Sequence, residues 1–172
     1  MGLETDILGS RGPSQRTIPD RWNKLTRAVI GAAVDVHASL GPGLLENLYE
    51  EAIAHELQLR RIPFRRQQPI RLHYKGVDIG DLRLDLVVDQ LIVVELKAIE
   101  RTAEVHRAQV LSYLRSTNLP LGLLINFNHL RLVDGVTRIL NALSPAFLAL
   151  PALSPLPSAC SDSSVFLPDD TE

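Results

Sequence analysis

Leu82-Arg83-Leu84-Asp85-Leu86-Val87-Val88-Asp89-Gln90-Leu91-Ile92-Val93-Val94-Glu95-Leu96-Lys97-Ala98 is the stretch on which the fold turns. It is aliphatic and β-branched, and Asp89-Gln90 interrupts it as a turn would, giving strands over Val77 to Val88 and Leu91 to Ala98. A period of two places Leu82, Leu84, Leu86 and Val88 on one face and Arg83, Asp85, Val87 and Asp89 on the other. In the second strand Ile92, Val94 and Leu96 face one way, and Val93, Glu95 and Lys97 the opposite way. Glu95 and Lys97 therefore stand side by side at the end of an apolar strand. Pairing across the turn brings Asp85 beside Glu95. Two ionised carboxylates that close repel each other, and burial makes this worse. A divalent cation and a lysine relieve both problems, and hard oxygen ligands favour Mg²⁺ or Mn²⁺ over zinc. The other reading of the same residues is a salt bridge between Lys97 and either acid at a sheet edge, because E-x-K is short and common.

Outward from these strands, helical and extended patterns alternate. Leu25, Val29, Ala32, Val36 and Leu40 recur at helical spacing and predict a first helix from about Trp22 to Leu40, broken by Gly41-Pro42-Gly43. A second helix is expected from about Leu44 to Arg60, with Leu45, Leu48, Ala52 and Ile53 inward and Ile62-Pro63 as its end. Pro69 to Tyr74 reads as a strand, turned at Lys75-Gly76. A third helix covers about Ala103 to Ser116, and Leu121 to Phe127 reads as a buried strand. Asp134-Gly135, between Leu130–Val133 and Val136–Leu140, is a hairpin signal. Three meandering strands followed by a crossover helix imply a mixed sheet with helices on its faces. Residues 1–20 read as a loose arm and 21–142 as the domain. Residues 143–172, with Pro145, Pro151, Pro155, Pro157 and Pro168, read as a disordered or loosely packed tail whose apolar residues can still dock on the domain.

Further polar residues gather around the acids. In Gly41-Pro42-Gly43-Leu44-Leu45-Glu46-Asn47-Leu48-Tyr49, Glu46 and Tyr49 are three apart and share a helix face. Glu46 near a helix start can equally be a surface charge favoured by the dipole. His37 lies one turn before the glycine break, where a packed or capping role is the commoner one. His106, Gln109 and Tyr113 form a polar stripe beside the apolar arc of Val105, Ala108 and Leu111, and such a stripe alone usually faces solvent.

Taken in order, these segments resemble the GxxExxY protein family, a branch of the PD-(D/E)xK nuclease superfamily. Gly43 to Tyr49 matches the motif that names the family. Asp85 followed by Glu95-Leu96-Lys97 matches the superfamily signature. Gln109-Val110-Leu111-Ser112-Tyr113 is similar to the Q-x-x-x-Y motif of exonuclease-like members, and Leu124-Ile125-Asn126-Phe127-Asn128 with Asp134-Gly135 is similar to the family's ending. The resemblance covers about residues 22–141 and departs at neither acid nor lysine. It implies an α/β (α+β) fold, a mixed central sheet flanked by helices as in restriction endonucleases. It also implies a metal-dependent nuclease with Asp85, Glu95 and Lys97 as catalytic residues. Asp85, Glu95 and the Leu96 carbonyl would hold Mg²⁺ or Mn²⁺, with Glu46 adding a carboxylate directly or through water. Lys97 would orient the attacking water or stabilise the charged transition state. His37, Tyr49, Gln109 and Tyr113 would contact nucleic acid or the water around the metal.

Composition narrows the classes. Hydrophobic residues make up 45% of the 172-residue chain, enough for one core, and aromatics only 5%, so that core is mainly aliphatic. Cys160 is the single cysteine, which excludes an internal disulfide framework and suits a cytoplasmic protein. Neither a signal peptide nor a run of about 20 apolar residues is evident, so no membrane partner is expected. The net charge is −2, but Asp162, Asp169, Asp170 and Glu172 fall after the last cation; without those four, the rest carries +2. Between Leu57 and Val77 there is no acid, whereas Arg60, Arg61, Arg65, Arg66, Arg71 and Lys75 all lie there. That run is either a solvated helix end and edge strand or, with Arg60, Arg61, Arg65 and Arg66, a phosphate-binding patch. The expected partner is nucleic acid, DNA favoured, and a homodimer is compatible with the pattern. The rivals are a non-catalytic nucleic-acid-binding or regulatory module on the same fold, and a small interaction protein whose ion cluster is structural.

Overall fold

Pro19 precedes α1 (Asp20–Leu40), and Asp20 in the first turn complements the positive end of the helix. Val29, Ala32 and Val36 form its buried stripe with Trp22 and Ala33. Gly41 then takes φ +70°, a left-handed conformation that costs glycine little, and its N–H closes on the His37 carbonyl at 2.9 Å. The computed structural model describes residues 16–151. Most of the expected N-terminal arm and of the proline-rich tail lies outside those residues.

The second helix, α2 (Glu46–Leu59), starts two residues later than its sequence pattern suggests, and its inward face is rotated. Leu45 and Leu48 are exposed, while Tyr49, Ile53, Ala54 and Leu57 are buried. The bulkiest apolar surface available is the ring of Tyr49, which stacks on Phe127 with centroids 4.3 Å apart, and this contact sets the rotation.

Five strands follow: β1 (Phe64–Tyr74), β2 (Val77–Val88), β3 (Ile92–Lys97), β4 (Leu121–Asn126) and β5 (Val136–Leu140). They form one sheet in the order β1-β2-β3-β4-β5. Lys75-Gly76 and Asp89-Gln90 make the two turns with positive φ, as expected from sequence. Helix α3 (Glu104–Thr117) is the crossover that makes β3 and β4 parallel; the other neighbours are antiparallel. β1 begins five residues earlier than predicted, because Arg65-Arg66-Gln67-Gln68 carries no apolar alternation for a sequence reading to detect.

The helices cover both faces. Leu86, Val88, Ile92, Val94, Leu96, Leu123 and Ile125 pack against α1 and α2, while Leu84, Val87, Val93 and Leu124 pack with Val110, Tyr113 and Leu114 of α3. Each such aliphatic side chain removed from water stabilises the fold by about 1.5–3 kcal/mol. The inward face of α3 is Val110, Tyr113 and Leu114; Val105 is exposed, so Tyr113 of the polar stripe faces the sheet, not solvent.

No hairpin forms around Asp134-Gly135. Leu132–Gly135 is a short 3-10 turn, and β5 pairs with β4 instead. A side chain at Gly135 would place its Cβ 2.4 Å from the Asn126 carbonyl, so the glycine permits close backbone approach. Beyond β5, Ser144 caps a short helix, α4 (Pro145–Leu148), and Phe147 and Leu150 pack on the α1–α2 side of the core. Ile18–Leu150 form one compact unit.

Candidate active site

β2 and β3 pair through Val88–Ile92, Val87–Val93 and Leu86–Val94, and the ladder ends there. The next step would set Asp85 opposite Glu95. Instead the Leu96 N–H donates to Asp85 Oδ2 at 2.8 Å, so a carboxylate takes the place of a ladder carbonyl. Across the β1–β2 pair, Gln67 adopts φ +47° between the pairs Arg66–Leu86 and Gln68–Leu84. Both strands change faces at this point. Leu86 and Val88 lie with α1 and α2, but Leu82 and Leu84 lie with α3. The simple alternation that put all four leucine and valine side chains on one face is therefore broken at Asp85. The β2–β3 ladder stops there.

Glu95 is nearly sealed, its side chain 4% exposed. Lys97 Nζ donates to Glu95 Oε1 at 2.6 Å, while Oε2 is buried without any hydrogen-bond partner. Burial, then the charge of Asp85, pushes the Glu95 carboxyl up to about 7 against the pull of Lys97. Burial also raises Asp85, opposed by the Leu96 N–H and Lys97 and reinforced by Glu46 and Glu50. Burial works to lower Lys97, but its bond to Glu95 and the charges of Glu95, Glu46 and Asp85 leave it raised. Lys97 is thus a fixed cation, unsuited to accept a proton near neutral pH.

Glu46, the first residue of α2, is half-buried, and its charge acts on Asp85, Glu95 and Lys97 alike. Tyr49 positions it indirectly. The Tyr49 hydroxyl donates to the Gly41 carbonyl at 2.6 Å and accepts from the Leu44 N–H at 3.1 Å, tying the glycine turn to the helix start. On the opposite face, Gln109 Nε2 donates to the Tyr113 hydroxyl at 2.6 Å. Burial raises Tyr113, with Glu95 and Asp85 adding to the rise, so this tyrosine lies within the field of the acid pair.

Other predicted residues go elsewhere. His37 Nε2 meets the His129 carbonyl at 2.8 Å and its ring tilts against Phe127, which binds the end of α1 to the loop after β4. The basic run is divided. Arg60 pairs with Glu56 and Asp35, and Arg66 with Glu50 and Glu51. Arg61 and Arg65 have no ion pair among the described residues, so two of the four arginines are already paired with acids and two are not.

Two neighbours had no role assigned to them by the sequence reading. Glu50 is buried, accepts from Arg66 and from Gln67 Nε2 at 2.7 Å, and reaches Asp85 with its charge. Its position four residues after Glu46, on the same helix face, was the available signal. Asn126 is fully buried, pairs across from Lys97, and brackets Ile99 through both amide atoms at 2.8 and 3.1 Å. It fixes where β3 ends, and hence where Lys97 points.

A family model of the PD-(D/E)XK nuclease superfamily matches residues 23–139. The chain belongs to that superfamily. PD-(D/E)XK nucleases act on nucleic acid and generally use divalent metal ions. The acid pair of this superfamily member suits such an ion: its donors are hard oxygens, one of them buried and partnerless, and burial leaves both acids short of positive charge. Among the described residues, no three His, Cys, Asp or Glu side chains cluster closely enough to hold a metal by themselves. Also among those residues, no helix is long and apolar enough to cross a membrane. No curated protein and no solved structure matches the chain.

Proposed function

We propose that this PD-(D/E)XK protein is a metal-dependent nuclease of the GxxExxY branch, hydrolysing phosphodiester bonds with DNA as its first substrate. The observation that carries the reading is the buried, partnerless Oε2 of Glu95 beside Asp85 and Lys97. The branch assignment is supported by Gly43, Glu46 and Tyr49, since Tyr49 ties down the turn that brings Glu46 toward the acids. Asp85 and Glu95 would hold Mg²⁺ or Mn²⁺, the Leu96 carbonyl and water completing its shell. Such an ion lowers the pKa of a bound water and neutralises charge on the scissile phosphate.

The chain's own groups do the remaining work. Glu46 orients water at the edge of the pair, since the described acids form no three-membered cluster. Lys97 keeps its proton and stabilises negative charge developing on the phosphate, in a site where low exposure strengthens the interaction. Gln109 sets the direction of the Tyr113 hydroxyl, which contacts the strand or its water. Leu96, held by Asp85, keeps the spacing of the two acids. A cytoplasmic location agrees with the single Cys160.

Cleavage of labelled single- and double-stranded DNA and RNA with Mg²⁺, Mn²⁺ or EDTA tests this. Metal-dependent cutting that Asp85→Asn abolishes is the expected result. Absence of cutting under every metal condition, with no Mg²⁺-induced shift of the melt, sinks it. The second reading is a nucleic-acid-binding module without turnover. Tight binding without cleavage would establish that instead.

A further inference from the structure

We infer that a groove between the β1–β2 pair and the end of α3, centred on Arg65, holds a backbone phosphate of the nucleic-acid strand next to the candidate active site. This rests on the nuclease reading above but concerns separate residues. Two adjoining hollows share Arg65, Val87 and Gln90. The larger, about 400 Å³, adds Gln68, Arg71, Ser116 and Thr117; the smaller, about 230 Å³, adds Pro63, Phe64 and Asp89. Together they follow the strand from Pro63 to Arg71, a run of roughly 25 Å at the rise of an extended chain.

Charge selects the occupant. Arg65 is exposed and has no ion pair among the described residues, in contrast to Arg60 and Arg66 on either side of it in sequence. A guanidinium left open presents a planar fork that matches a phosphate. Arg71 supplies a second cation; its links to Asp81 and Asp78 are both 3.4 Å and exposed, so they compete weakly. Asp89 is the one carboxylate among the lining residues, at the far end. Gln68 Oε1 is buried at the wall without a hydrogen-bond partner.

Position links the groove to the chemistry. Thr117 Oγ1 donates to the Tyr113 carbonyl at 2.8 Å, one helical turn along α3. Arg65 itself pairs with Val87, on the same strand as Asp85, and Tyr113 lies in the field of Glu95 and Asp85. A strand whose scissile phosphate lies at the acid pair can therefore run along α3 and set a neighbouring phosphate on Arg65.

The test is fluorescence anisotropy of a labelled single-stranded DNA oligonucleotide with the full chain, in EDTA, over a salt series. Arg65→Glu should weaken binding about tenfold, and Arg65→Ala should lower the salt slope by about 0.7, the value for one phosphate contact on a single strand. Arg65→Lys should restore most of the slope. Arg131→Glu, an exposed cation outside both hollows, should change neither quantity. If both Arg65 charge-removing variants bind with wild-type affinity and slope while the wild type binds and cleaves, the groove is overturned and the nuclease reading stands. If the wild type binds no oligonucleotide at all, both fall.

Discussion

Asp85 and Leu96 are joined where β2 and β3 stop pairing, the Leu96 N–H donating to Asp85 Oδ2 at 2.8 Å. One oxygen of the acid thus holds the fold while its charge acts on Glu95, and two substitutions separate these effects. Asparagine can still accept from Leu96 and removes the charge that raises Glu95. Asp85→Asn should therefore melt at or above the wild-type temperature without metal, and lose both the Mg²⁺-induced shift and cleavage. Asp85→Ala leaves the Leu96 N–H, on a buried residue, unmet and should cost about 1–3 kcal/mol. Denaturant unfolding of the two variants in EDTA distinguishes them; equal destabilisation would show that charge, not the hydrogen bond, holds the strands.

Glu95 has a pH signature opposite to that of most paired carboxylates. Its folded-state value of about 7 lies above the ordinary 4.5, so the folded chain binds this proton more tightly than the unfolded chain. The resulting stabilisation is fully present below about pH 4.5 and is lost as pH rises through about 7. In EDTA, the stability of the wild type relative to Glu95→Gln should therefore increase as pH falls through this window. A difference that stays flat between about pH 5 and 8 would show that Glu95 carries no such burden.

Tyr49 is part of the motif that points to nuclease chemistry, yet its contacts are architectural. Tyr49→Phe keeps the stack on Phe127 and deletes two hydrogen bonds that hold the Gly41–Leu44 turn. At about 0.5–1.5 kcal/mol each, the loss should be about 1–3 kcal/mol. Cleavage should fall through misplacement of Glu46, with oligonucleotide affinity in EDTA unchanged. A large loss of that affinity would instead make the hydroxyl a nucleic-acid contact.

The acid pair, its lysine and the two tight turns were legible because local chemistry determines them: Asp89-Gln90 turns the chain, and the alternation of β3 sets Glu95 beside Lys97. The change of faces at Gln67 and Asp85 was not legible, since it depends on both strands and on helices that pack from opposite sides. Asp134-Gly135 illustrates a different limit. A glycine needed for a hairpin and one needed for contact with the Asn126 carbonyl look alike in sequence. The partners of Arg60 and Arg66 include acids 25 and 16 residues away, so only the fold reveals that these cations are already paired. Tyr113 seemed to belong to a solvated stripe because Val105 and Ala108 offered a plausible apolar face; packing against Val93 and Leu124 favoured the other side of the helix.

Lys97 decides between a catalytic site and a structural ion pair. Its side chain is 15% exposed and its partner's 4%, so in a purely structural pair its removal would strand a buried charge, at about 3–5 kcal/mol. The raised pKa of Glu95 offers an escape: the acid takes up a proton, and near pH 6 the metal-free Lys97→Ala chain should lose much less than that. Near pH 8 proton uptake is harder and the loss should be greater. The oxygen ligands remain, so Mg²⁺ should still raise the melting temperature of Lys97→Ala, by more at pH 8 than at pH 6, where proton and metal compete. Turnover should fall by about a hundredfold or more, as when other electrostatic stabilisers are removed. Melts at both pH values with and without Mg²⁺, together with single-turnover cleavage, measure all of this. A Lys97→Ala chain equally destabilised at both pH values and indifferent to Mg²⁺ would falsify the catalytic reading and leave Lys97–Glu95 as a structural pair.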